Sequence, residues 1–196
     1  MKRSLSVLAM ATSLVLAAPL AHATMITYYA DLSGPNESPP NASPATGSAT
    51  VTVDDVLDTM RVVAIFSGLT GTTSAAHIHC CTAAPLIGAV GVATTTPTFT
   101  GFPPGVTSGA YDMTFDMSLA SSYNPAFVTA HGGVAGAQDF LFAGMAGGKS
   151  YFNLHTTAFP GGEIRGFLTR ALPEPLSLAL VGVGLVGLGF SRRKTA

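Results

Sequence analysis

The chain has 196 residues, with nine Lys or Arg against ten Asp or Glu and a formal net charge of −1. Charged side chains are only 10% of it, which argues against any polyanion-binding surface and excludes nucleic acid as a partner. Mean hydropathy is +0.44, but an apolar segment at each end raises it, so the value does not describe a protein embedded in membrane throughout.

Lys2-Arg3 form a positive n-region, Leu5 to Ala18 an apolar stretch, and Ala21-His22-Ala23 a small-x-small cleavage site. Together they predict a secretory signal peptide over residues 1–23. With the C-terminal segment also set aside, the folded part runs from 24 to 170, a length that suits one domain with its own core.

Strand periodicity dominates that domain. Met25 to Leu32 reads as a first strand, Thr46 to Val53 alternates polar or small with apolar residues, and Met60 to Phe66 is β-branched and apolar ahead of Gly68. Asp54, Asp55 and Asp58 lie between two of these runs, where a solvated hairpin is the simple reading and paired carboxylates the functional one. Ser74 to His79 forms a further strand, followed by the Thr/Pro/Gly-rich stretch Thr95 to Gly105. In Ala110 to Met117, Tyr111, Met113, Phe115 and Met117 share one face. Asn124-Pro125 then offers an N-cap and N1 proline for a helix over Ala126 to Ala130, and Phe140, Leu141 and Met145 have helical spacing within Ala137 to Ala146. His131, beside two glycines, reads as an exposed loop residue. Strands at Ser150 to Thr156 and Glu163 to Thr169 complete the pattern. It predicts an all-β antiparallel sandwich or barrel, immunoglobulin-like or dismutase-like, with one or two short helices.

Chemistry-bearing residues cluster in three places. In Ala75-Ala76-His77-Ile78-His79-Cys80-Cys81, residues i and i+2 of a strand share a face, so His77 and His79 point the same way and can chelate one ion. The same rule pairs Asn153 with His155, and Glu163 with Arg165. One reading makes His77, His79 and His155 a zinc or copper site, with Cys80 or Cys81 as a thiolate ligand and Glu37 or Glu163 behind the ligands. The other is structural, a hydrogen-bonded network in which Glu163 pairs with Arg165 or His155 to pin adjacent strands.

Cys80 and Cys81 admit three states: a vicinal disulfide, which an oxidising exterior favours and which would be strained and reducible, metal ligation, or a bridge to another copy of the chain. The sequence holds no Gly-x-Ser-x-Gly elbow, phosphate loop or His-Glu-x-x-His motif, so it points to no enzyme class. A dismutase-like copper/zinc chemistry would need a fourth histidine and an aspartate ligand that the sequence does not place.

After Leu172 come Pro173-Glu174-Pro175, fifteen uncharged residues from Leu176 to Phe190, and the basic cluster Arg192-Arg193-Lys194. A helix of that length spans about 22 Å, short of a hydrocarbon core of roughly 30 Å, which makes a weak, temporary membrane anchor over about 173–191. The trio resembles the PEP-CTERM sorting signal of Gram-negative bacteria, here covering 171–196. That resemblance implies Pro173, Glu174, Pro175, Arg192 and Arg193 as a motif read by an exosortase, with signal peptidase as the other processing partner.

Five separated motifs resemble the CHRD domain, named for chordin, over 24–170: Leu32 to Pro40, Ser67 to Leu69, Ala75 to His79, Tyr151 to Thr156 and Gly161 to Leu168. The cysteine doublet after His79 departs from the small or polar residues usual there. Together the two resemblances imply an exported, surface-sorted module, bound transiently to the inner membrane and then placed at the cell surface or outside the cell. As a non-catalytic binding or structural protein of the envelope or matrix, it would have exopolysaccharide or extracellular proteins as partners. The alternative is a zinc- or copper-binding protein using the His-x-His site.

Overall fold

The computed structural model describes residues 25–171. The predicted signal peptide and the segment holding Pro173, Glu174, Pro175, Arg192 and Arg193 lie outside the described residues. Among the described residues no helix is long and apolar enough to cross a membrane.

Eight strands form one sheet: β1 (Ile26–Ser33), β2 (Thr46–Asp54), β3 (Thr59–Ser67), β4 (Thr73–His79), β5 (Gly109–Asp116), β6 (Tyr151–Thr156), β7 (Ile164–Phe167) and the short β8 (Thr169–Arg170). All pairings are antiparallel, and the order is β4-β6-β7-β1-β2-β3-β5, with β8 beside β1. The sheet is a curled half-barrel. Its core face carries Tyr28, Leu32, Val51, Val62, Ile78, Phe152, Leu154 and Ile164, all buried, as strict alternation along each strand requires.

The connection from β4 to β5 closes the open side. It returns along the free edge of β4, where Ala93 N–H donates to Ile78 and Phe99 N–H to Ala76, while the Thr94 and Thr98 hydroxyls accept from Ile78 and Ala76. Phe99, fully buried, then places its ring 5.2 Å from Phe115 and 6.0 Å from Phe152, joining the strands at and next to the two edges. An edge that would template aggregation is thereby covered.

Two helices cap the core. In α1 (Pro125–Ala130) the Asn124 side chain accepts from Ala126 N–H, the N-cap expected of Asn-Pro. Helix α2 (Val134–Ala146) starts a turn before the expected Ala137 and buries Ala137, Leu141, Gly144 and Met145, a stripe at spacings of three and four. His131 corrects the loop reading: it ends α1 half-buried, with its ring 4.4 Å from Phe127 and 3.9 Å from Phe140. The aspartates between β2 and β3 make the hairpin, Asp54 accepting from the Val56 and Leu57 amides and Asp58 from Gln138.

Cys80 and Cys81 are joined in a disulfide packed against α2. Their sulfurs lie 3.9 and 3.5 Å from the Phe140 carbonyl oxygen, and a Cβ on Gly144 would overlap both. Gly144→Ala should therefore destabilise the protein by about 2 kcal/mol or more, as overpacking in a closed core does. Urea unfolding measures it, and a loss much below that would show that α2 can lift off the disulfide.

Candidate metal centre

Strand pairing assembles the site on the outer face of β4, β6 and β7. His77 lies opposite Asn153, which lies opposite Arg165; His79 lies opposite Tyr151, which lies opposite Phe167. His155 is two residues along β6 from Asn153 and so shares its face. The ring centroids of the three histidines form a near-equilateral triangle, 5.2, 5.8 and 5.9 Å on its sides.

Each histidine spends one nitrogen on a backbone carbonyl. His77 Nε2 donates to Pro97 at 2.5 Å, His79 Nδ1 to Val90 at 2.8 Å and His155 Nδ1 to Pro160 at 2.9 Å. A carbonyl can only accept, so the proton is assigned to the bonded nitrogen and the other keeps its lone pair. Those remaining atoms, His77 Nδ1, His79 Nε2 and His155 Nε2, are buried without a partner. Ring nitrogens of the three residues lie within 4.8 Å of one another. Tetrahedral ligation with bonds of about 2.0–2.1 Å needs separations of about 3.4 Å, so the rings have at most about 1.4 Å to close.

Burial keeps the rings neutral. It is the largest influence on His77 and His79, holding both down at about 4 against the pull of their carbonyl acceptors, and it also lowers His155. A neutral imidazole is the ligating form.

Glu37 and Arg165 stand beside the triad. Arg165 Nε donates to the Asn36 carbonyl and lies 3.8 Å from Glu37 Oε2, while its guanidinium stacks 4.7 Å from the Tyr151 ring centre. Burial pushes the Glu37 carboxyl up to about 7 despite Arg165. Gly162, at φ +131°, brings its backbone against Glu37 Oε1 and the Asn153 amide, with a notional Cβ 2.6 to 2.7 Å from them. Only glycine fits there.

Two expectations change. Glu163 meets neither Arg165 nor His155. Strand β7 begins one residue later, and Glu163 turns to the Leu154 and Thr156 side of β6. There its oxygens accept from the Ser43 and Thr156 hydroxyls and the Thr70 and Gly71 amides. Burial would raise its pKa, but these bonds together lower it. Of the three states open to the cysteines the structure has the vicinal disulfide, packed against α2 beyond the end of β4, which leaves no thiolate to ligate an ion.

Sequence reasoning missed the carbonyls of Val90, Pro97 and Pro160, because backbone groups of irregular segments leave no residue signature. Tyr151, stacked 4.8 Å from His79, was within reach of the same two-residue rule that joined Asn153 to His155.

Two measurements follow for chelator-treated protein. A histidine held below its ordinary 6.5 binds fewer protons folded than unfolded, so His77 and His79 contribute stability that is lost as pH falls from about 6.5 toward 4. Glu37, held above its ordinary 4.5, works in the opposite sense, one group against two. Urea midpoints should therefore drop on acidification through this window, and more steeply in Glu37→Gln. A flat profile in the parent would mean that the rings titrate normally. Separately, Glu163→Gln should cost about 2–4 kcal/mol at neutral pH, since it replaces a carboxylate bonded by donors alone with an amide that brings its own donors.

No curated protein and no solved structure matches the chain. The model of the CHRD domain family matches residues 28–168, from the first core tyrosine of β1 to the leucine that separates β7 from β8, and so takes in the whole outer-face triad and its supports. The chain belongs to the CHRD domain family.

Proposed function

We propose that this CHRD-domain protein is a binding module that holds one transition-metal ion, zinc or copper, on His77, His79 and His155. One observation carries the reading: three histidines whose ring nitrogens lie within 4.8 Å of one another each give one nitrogen to a backbone carbonyl and keep the other buried without a donor. A purely structural network would use both nitrogens of each ring. A buried acceptor without a partner costs about 1–3 kcal/mol, and a single cation would pair all three. Neutral imidazoles and no thiolate favour zinc or copper over softer ions. Among the described residues this triad is the one such grouping of three potential ligands, so a second, dismutase-like metal has no support.

Export and surface sorting belong to the same reading. The charged, apolar and small-residue order of residues 1–23 supports secretion by signal peptidase. Pro173-Glu174-Pro175 with its apolar run and Arg192-Arg193 supports a transient inner-membrane anchor removed by exosortase. A module so delivered would act at the cell surface or in the matrix, bound to exopolysaccharide or extracellular protein.

Elemental analysis of the purified protein should find one zinc or copper per chain in the parent and none in the His77→Ala/His79→Ala variant. The parent's Tm should fall on chelation, because an ion at 100 times its Kd adds about 2.7 kcal/mol. A metal-free parent whose Tm ignores added zinc and copper would overturn the reading.

A further inference from the structure

Six buried side-chain polar atoms lack a partner among the described residues, and five of them belong to this outer face. Besides the three histidine nitrogens they are Glu37 Oε1 and Asn153 Oδ1. With Glu37 ionised all five are acceptors, and they then cannot satisfy one another. The three nitrogens call for a cation, whereas a carboxylate and an amide oxygen set beside them call for donors. Water on a metal ion supplies both, since the ion sharpens its two O–H groups as donors.

The oxygens are placed for it. Asn153 lies directly opposite His77 in the ladder, and Glu37 Oε1 and the Asn153 amide flank the same point over Gly162. Three protein nitrogens also leave a four-coordinate ion one position short. Beside the site, a cavity of about 590 Å³ opens to solvent with Glu37 and Arg165 in its wall and the exposed Leu86 and Ile87 at its margin. Arg165 is almost wholly buried in that wall, with Nε donating to the Asn36 carbonyl and its side chain also hydrogen-bonded to Tyr151, so its charge stands at the cavity with few protein partners.

Resting on the triad reading, we propose that the bound ion keeps an exchangeable fourth position, occupied by a water that donates to Glu37 and Asn153, and that a small monoanion entering past Arg165 replaces that water. The exchange releases one water for each anion bound, and no electron or proton changes hands. A divalent ion and Arg165 set against Asp31 and Glu37 leave a net charge of about +1, which a single monoanion neutralises.

The test is an azide titration of the cobalt(II)-loaded full chain, followed by visible absorption, with cobalt content measured independently. Azide should shift the cobalt bands saturably. Glu37→Gln, which removes a negative charge but keeps an acceptor, should bind azide at least about threefold more tightly, and Arg165→Met should bind it more weakly. Both should retain one cobalt. A loaded site whose spectrum ignores azide would overturn the exchangeable position and leave the triad standing. Azide binding unchanged in Glu37→Gln would remove Glu37 from it, a result that stands even where Arg165→Met fails to fold. A parent that takes up no cobalt would overturn this inference together with the triad.

Discussion

The register between β4 and β6 is the constraint on which the rest depends. With His77 opposite Asn153 and His79 opposite Tyr151, every second side chain of both strands faces the outer surface, and Ile78, Phe152 and Leu154 face the core. A slip of one residue would drive two imidazoles into a layer of phenylalanines and expose isoleucine and leucine to water. The hydrophobic core and the polar site therefore enforce the same alignment. The curl of the sheet and the β4 to β5 connection hold that register from the side, through the Thr94 and Thr98 hydroxyls and through Phe99.

Two buried carboxylates on this frame solve desolvation differently. Glu163 takes four donors and no cation, and it ties the Ser43 and Thr70 loops to Thr156 on β6. Every lone pair is used, so the carboxylate stays charged and serves the fold. Glu37 has a cation at 3.8 Å, too long for a strong ion pair, and one oxygen with nothing to accept. The contrast separates a carboxylate whose bonds are complete among the described residues from one that keeps an oxygen unused.

The sequence revealed the strands, both helices and the shared face of His77 and His79, because all of these follow from local period. Asn124-Pro125 showed its helix start for the same reason. What it could not show depends on chain segments meeting from afar. Glu163 looked like a partner of Arg165 because i and i+2 share a face on a strand, yet the strand begins one residue later and the alternation fails at that boundary. Arg165 instead meets Glu37, more than a hundred residues earlier, through the loop after β1. Cys80 and Cys81 sit next to His79 in the chain, but β4 ends at His79 and their disulfide packs against α2.

Tyr151 couples the triad to the cavity. Its hydroxyl accepts from the Val90 amide and donates to the Val90 carbonyl, the same oxygen that orients His79. Its ring is stacked on His79 at 4.8 Å and carries the Arg165 guanidinium at 4.7 Å. One side chain thus braces the carbonyl that sets the His79 tautomer, the tilt of that ring and the place of the nearest cation. A positive charge is ordinarily a poor neighbour for a metal site, because it repels the ion. In the proposed site the Tyr151 π-face and Glu37 would offset it, and it would help the remaining position to hold an anion. An arginine kept buried at that cost is better explained by recognition of a ligand than by the fold, whose ladder at this position needs only the backbone of residue 165.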